Sequence, residues 1–350
     1  MSARTMKALV KTAKGRGNLE LRETPVPTPG PDDVLLEIAA CGICGTDIHI
    51  KHDEFPYWPP VILGHEFAGE VVEVGRNVTG VAVGDRVVGE PHTLACGRCE
   101  VCRTGNVQIC SSKRSPGWGI DGAFARYMRM PDARLLHRIP DGMTYEEAAV
   151  VEPAVNAVQD AVLRPGLEPN DTVVVFGPGA IGLLATMAVK AAGAGKVIVV
   201  GTSADASMRL PVAEQIGVDA VVVADRQDTV GEVMRLTHGR GADLVVEASG
   251  APPAIRDSVE CVRRFGRISQ IGLSGKKSVD FPWDRASWKV ATVFFNLSTA
   301  YAGWDRTIAL IANRKIDVAK VISDVLPLDE WQQAFEKVET LSGLKVLLRP

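Results

Sequence analysis

The sequence predicts an α/β plus β protein, in which a β-rich lobe is joined to a doubly wound parallel sheet. Three observations carry this. Residues 1–150 read as short alternating apolar runs broken by Gly and Pro. From about residue 155 the texture becomes continuous β-branched runs separated by helical segments. After about residue 295 it shifts again, to two helical stretches. A chain of 350 residues suits two domains of ordinary size.

In the first lobe, strands are expected within residues 9–23, 32–40, 67–75 and 84–90, which makes an all-β beginning. The connector TPVPTPGPDD is too stiff and donor-poor for a helix. Residues 171–201 then read as strand, glycine turn, helix and strand, with the strands at 173–176 and 197–200. Further strands are expected at 220–223, 244–247 and 268–271, and late helices at 304–312 and 330–338. Pro211 falls where the second crossover helix should already run, so that helix starts late or is kinked.

Composition narrows the function classes. Apolar residues make up 46% and charged residues 23%, the balance of a protein with a real core. The net charge of −3, with Lys and Arg scattered, argues against a nucleic-acid partner. No apolar run approaches the roughly 18 residues that span a bilayer, so no membrane partner is expected. The N-terminal segment lacks a secretory h-region, which makes the cytoplasm the expected compartment.

Gly177-Pro178-Gly179-Ala180-Ile181-Gly182 matches G-x-G-x-x-G between a strand and a helix. Its glycines permit a tight turn, close approach of a pyrophosphate and close helix–strand packing, and the helix N-terminus favours the anion. This predicts dinucleotide binding; a purely structural turn is the bland alternative. The second strand runs into Gly201-Thr202-Ser203 with no acid at its end. Thr202, Ser203 and Arg209 are therefore candidates to hold a 2′-phosphate, a lean toward NADP(H). Asp205 keeps the NAD(H) option open by reaching the ribose.

Cys96, Cys99, Cys102 and Cys110 form a C-x₂-C-x₂-C-x₇-C array. Four thiolates at this spacing suit a closed, tetrahedral structural zinc, with two disulfides or an iron–sulfur cluster as alternatives. Cys44, His65, Glu66 and Glu152 offer thiolate, imidazole and carboxylate ligands but form no local motif. Read singly, His65 is a core histidine, Cys44 a small buried hydrophobe and Glu152 a helix cap or ion-pair partner. Spacing alone leaves a joint metal site no better than even.

In one order the chain carries CGICGTDIH, GHE, the four-cysteine lobe, EP and GPGAIG, and so resembles the zinc-containing medium-chain alcohol and polyol dehydrogenases. Within them it looks closest to the sorbitol and L-threonine 3-dehydrogenase branch. The resemblance implies a GroES-like catalytic domain from residues 1–155 and 296–350, with a zinc lobe at about 91–112. It places a Rossmann domain at 156–295, and substrate in a cleft. It also implies Cys44, His65 and Glu66 as ligands of a catalytic zinc, with Glu152 approaching the metal directly or through water. Two zinc ions per chain and NAD(P) are then expected, as is hydride transfer between a secondary alcohol or polyol and nicotinamide. Thr46 and His49 occupy the positions of a proton relay, a task suited to imidazole because it titrates near neutrality. Kinship implies a dimer or tetramer.

Phe55, Tyr57 and Trp58 are candidates for shaping the pocket, with packing beneath a loop as the other reading. His92 is a weaker pocket candidate, and His52 reads as an exposed loop residue. Trp283 and Trp288 read as core or subunit contacts, and Cys41 and Cys261 as ordinary buried thiols. The competing functions are L-threonine 3-dehydrogenase and, more distantly, a non-catalytic dinucleotide-binding sensor.

Overall fold

The structure, a computed structural model, describes residues 4–350. It contains two compact units. The first runs to Glu152 and adds Thr299–Ile308 and Ile322–Pro350; the second comprises Pro153–Ser298 and Ala309–Val321.

The first unit opens with β1 (Thr5–Lys11) and β2 (Leu19–Pro25), an antiparallel pair on either side of a glycine-bearing turn. Then come β3 (Val34–Gly42), α1 (Gly45–Lys51), β4 (Val61–Ile62), β5 (Glu66–Val74) and β6 (Arg86–Gly89). The short helix α2 (Glu100–Arg103) of the four-cysteine lobe follows, then β7 (Tyr127–Met130), β8 (Leu136–Arg138) and α3 (Tyr145–Ala149). Thr144 and Glu147 close a reciprocal capping box on α3, at 3.1 and 2.9 Å. Helix α4 (Val151–Val158) leads into the second unit.

There the chain alternates: β9 (Thr172–Phe176), α5 (Ala180–Ala191), β10 (Lys196–Gly201), α6 (Arg209–Ile216), β11 (Ala220–Val223), α7 (Thr229–Leu236), β12 (Ala242–Glu247), α8 (Pro252–Cys261), β13 (Val262–Gln270), α9 (Trp283–Lys289) and β14 (Thr292–Phe295). The six strands are parallel, in the order β11-β10-β9-β12-β13-β14. This is the 3-2-1-4-5-6 order of a dinucleotide-binding sheet. Val173, Val174, Val175, Ile198 and Val245 are fully buried, because crossover helices cover both faces. Helix α10 (Tyr301–Ala312), β15 (Ile322–Pro327), α11 (Trp331–Glu339) and β16 (Lys345–Arg349) complete the chain. Strands β15 and β16 extend the sheet of the first unit, joining it beside β3.

One departure from the sequence reading, and the outcome of an alternative it left open, have physical causes. The first lobe is not all β: α1 and α3 sit in it, each too short to show helical periodicity. Helix α6 starts late, at Arg209, which leaves Pro211 in the first turn, where no intrahelical N–H is required. Among the described residues no helix is long and apolar enough to cross a membrane.

Candidate functional site

In the first unit, β3 pairs antiparallel with β5 so that Gly42 lies opposite Glu66. Just past Gly42, Cys44 forms the N-cap of α1, and its backbone N–H donates to Asp47 Oδ2 at 2.9 Å. This register brings Cys44 Sγ, a His65 ring nitrogen and a Glu66 carboxylate oxygen within 4.8 Å of one another. His65 and Glu66 are buried.

The electrostatics of this cluster suit a cation. Burial works against a charged His65, yet Cys44 and Asp47, with Glu152 behind them, hold its pKa up at about 10. Thiolate, imidazole and carboxylate together match the donor preference of zinc. His65 Nδ1 is buried with no hydrogen-bond partner, and Asp47 Oδ1 lies 3.9 Å away, outside hydrogen-bonding reach. The residues present therefore fit a bound metal. Glu66 is shared: Lys345 Nζ donates to its two oxygens at 3.0 and 2.8 Å, and also to the Ile43 carbonyl at 3.2 Å.

The other predicted residues sit around this centre at different distances. Glu152 lies in the first turn of α4, where its charge bears on His65, Lys113 and Lys345, but it is outside the 4.8 Å set. Thr46 Oγ1 is 3.7 Å from Cys44 Sγ. His49 occupies the last turn of α1, 45% exposed, with Nδ1 3.1 Å from Glu54 Oε2. His92 is buried, its Nε2 2.8 Å from Thr299 Oγ1; burial, then the charge of Lys113, pushes its pKa down to about 3. His52 is not a free loop residue, since its Nε2 meets Glu339 Oε1 at 2.7 Å.

Of the three loop aromatics, Phe55 reaches the centre indirectly. It packs edge-on against Trp118, which packs edge-on against His65 with ring centroids 5.0 Å apart. Tyr57 is buried and donates to Asp53 at 2.6 Å, while Trp58 lies beneath the Arg114 guanidinium. Asp47, Trp118 and Lys345 were not singled out from sequence. Only Lys345 left a signal, as a cation heading the apolar run Val346–Leu348 of β16.

Cys96, Cys99, Cys102 and Cys110 also converge within 4.8 Å, and all seven cysteines are unpaired. The Cys96–Cys102 and Cys99–Cys110 sulfurs are 4.0 Å apart, twice a disulfide length and near the roughly 3.8 Å edge of a zinc–thiolate tetrahedron. Backbone N–H groups of Arg98 and Cys99 hold Cys96 down at about 6, so it favours the thiolate that a metal requires. The residues of this second cluster also fit a metal.

In the second unit, Gly177 follows β9 with φ +89°, and a Cβ there would meet Ser249 at 2.8 Å. At Gly182 a Cβ would lie 1.9 Å from the Gly177 carbonyl. Neither position tolerates a side chain. Gly179, the N-cap of α5, faces open space with nothing within 4 Å. The first N–H groups of α5, on Ala180, Ile181 and Gly182, have no intrahelical acceptor, and beside bare backbone they form an anion cradle. Pro178 completes that turn and lies beside Gly201 at the end of β10.

Beyond Gly201, carboxylates hold each candidate 2′-phosphate partner. Asp205 accepts from the Thr202 N–H and hydroxyl at 2.8 and 2.9 Å and from Arg209 Nη1 at 3.1 Å. Ser203 donates through its N–H to Asp225 at 2.8 Å and also through its hydroxyl.

Comparison with known proteins agrees with this geometry. Residues 30–141 match the family described as "Alcohol dehydrogenase GroES-like domain", and residues 180–313 match "Zinc-binding dehydrogenase". The chain is 37% identical to a sorbitol dehydrogenase of Halalkalibacterium halodurans, over 99% of each. It is 38% identical to an L-threonine 3-dehydrogenase of Pyrococcus horikoshii, over 95% of this chain and 94% of the other. The solved structure of a zinc-binding dehydrogenase from Sinorhizobium meliloti 1021, bound to NADP, superposes with a TM-score of 0.91 at 32% identity, covering 99% of this chain and all of that one. The chain belongs to the zinc-containing medium-chain alcohol and polyol dehydrogenases, and it is a zinc-dependent, NAD(P)-dependent oxidoreductase acting on CH–OH groups.

Proposed function

We propose that the substrate is a polyol or another small secondary alcohol, oxidised reversibly to its ketone. The observation that carries this is the convergence of Cys44, His65 and Glu66 within 4.8 Å. The sorbitol relative supports a polyol, and the threonine dehydrogenase supports L-threonine as the second reading.

Cys44 and His65 hold the catalytic metal, with Glu66, shared with Lys345, and Glu152 as the carboxylates nearest to it. When bound, zinc supplies Lewis acidity that lowers the pKa of the substrate hydroxyl. The Thr46 hydroxyl relays the released proton, giving up its own as it accepts another, and His49 passes the proton to solvent, with Glu54 orienting the imidazole. The four-cysteine lobe holds a second, structural zinc. Residues 1–155 and 296–350 form the catalytic domain and 156–295 the cofactor domain, except that Ala309–Val321 pack with the cofactor unit. Gly177 to Gly182 seat the pyrophosphate on the N-terminus of α5.

For the adenosine ribose, the sequence leans to NADP(H), but the bonds around Thr202, Ser203 and Arg209 support NAD(H). Asp205 and Asp225 already occupy those donors and would repel a 2′-phosphate. The free thiols support a cytoplasmic location. Apolar side chains exposed around β14 support a homo-oligomer.

Turnover of alditols, vicinal diols and L-threonine, each with NAD and NADP, tests the proposal. A kcat/KM for an alditol or diol well above that for L-threonine is expected, as is a preference for NAD. Turnover of L-threonine alone would replace the polyol reading, and a strong NADP preference would restore the lean of the sequence.

A further inference from the structure

We infer that the second unit carries another anion site, remote from the glycine loop and built for a nucleoside triphosphate. Gly177 follows the C-terminal end of β9, whereas Arg240 precedes β12 and Arg263 and Arg264 lie at the start of β13. Because these strands are parallel, the two places lie at opposite ends of the sheet. A cavity of about 520 Å³ opens there, lined by Arg240, Arg263, Arg264, Arg285, Lys289 and Trp288, with no carboxylate in its wall. That volume lies within the range of small-molecule sites.

The charge balance is one-sided. Asp243 accepts from Arg240 and Arg263, and Glu260 accepts from Arg285 at 2.9 Å. Lys289 donates only to the uncharged carbonyls of Glu260 and Val262, at 2.6 and 2.7 Å. Arg264 has no side-chain hydrogen bond or ion pair among the described residues, although its charge bears on Lys289. Five cations thus stand over two carboxylates, and like charges held this close call for an anion. Arginine predominates, and its planar fork matches phosphate oxygens in pairs.

The aromatic member narrows the ligand. Arg285, Trp288 and Lys289 fall at i, i+3 and i+4, one face of α9, whereas Trp283 points about 140° away. Trp288 is 69% exposed, and among the described residues no ring or cation packs on it. An indole at the rim of a phosphate-binding cavity is a stacking platform for a base. Phosphate chain and base together specify a nucleotide, and the surplus of three positive charges suits a triphosphate.

Calorimetry on the full-length protein, saturated with NADH so that the adenosine site is filled, tests this with GTP and inorganic tripolyphosphate at 0.15 M salt. Both should bind, and GTP more tightly. Arg264→Glu, alone and combined with Arg285→Gln, should weaken both by about tenfold or more. Trp288→Ala should weaken GTP by about fivefold to tenfold and leave tripolyphosphate within about twofold. Arg264→Ala keeps the test valid should the double variant fail to fold, since Arg264 makes no structural bond. Absence of binding, displacement of GTP by NADH, or binding indifferent to Arg264 overturns the site. An equal loss for both ligands in Trp288→Ala overturns its assignment to nucleotides.

Discussion

Lys345 is the counter-charge that lets Glu66 lie almost wholly out of water. Removing one partner of a buried ion pair strands the other, typically at a cost of 3–5 kcal/mol. Lys345→Met should therefore lower the unfolding free energy by about 3 kcal/mol, read by urea titration, whereas Lys345→Arg should lose less. Equal stability of Lys345→Met and the parent would mean that Glu66 does not depend on this partner. The proposed relay makes a separate prediction. His49→Ala should slow alcohol oxidation by about 100-fold with metal content unchanged, and an unaltered rate across neutral pH would remove His49 from the path. His92 should contribute nothing to that pH profile, because burial and the nearby Lys113 keep it neutral down to about pH 3. These assignments differ in how readable they were. Thr46 and His49 lie within five residues of Cys44, so the family motif is enough to propose them. Lys345 meets Glu66 across 279 positions of chain, a pairing that only the sheet of the first unit creates.

At the scale of elements, Asp243 joins the starts of three strands. Its carboxylate accepts the Thr172 N–H that opens β9 at 2.9 Å and the guanidiniums of Arg240 and Arg263 beside β12 and β13. Burial alone would raise its pKa, but the Thr172 N–H and the two guanidiniums outweigh it and hold the carboxyl below its usual value. A carboxyl depressed in the folded state adds stability above the unfolded pKa of about 3.9, and that stability is lost as pH falls through the folded value. Asp243→Asn should cost about 1–3 kcal/mol at pH 7, and the gap to the parent should narrow by pH 3. A gap independent of pH would show that the charge is not what matters. Of the strands Asp243 connects, β9 was legible as a continuous valine-rich run, as a doubly covered sheet requires, whereas β13 carries three arginines and was read only over its last residues. Helices α1 and α3 were not, because seven and five residues give too few turns for periodicity to appear. The glycine loop and the four cysteines were legible because each is local. Cys44 and His65 were united only by family resemblance, since the β3–β5 register that joins them leaves no mark in spacing.

For the whole molecule, the proposed homo-oligomer would be built on the edge of the parallel sheet. β14 is a terminal strand of its sheet, with β13 on one side and no strand on the other among the described residues. Phe295 at its end is 74% exposed, Leu297 just beyond is 63% exposed, and Trp283 on α9 is 75% exposed. The exposure of Trp283 and Trp288 excludes the core reading and leaves surface roles for both. An edge strand with unpaired N–H and C=O groups and large apolar neighbours invites strand addition unless it is covered. A second copy of the chain offers the same edge and the same apolar side chains, the self-complementary arrangement that two-fold symmetry produces. Sedimentation should therefore give a multiple of the 37.4 kDa chain mass. Phe295→Glu places a carboxylate in that apolar contact, and desolvating it without a partner should drive the assembly toward single chains. The fold should survive, because Phe295 contributes little to the core of its own unit. A parent protein that already sediments at 37.4 kDa, or a Phe295→Glu variant whose mass is unchanged, would remove β14 from the interface.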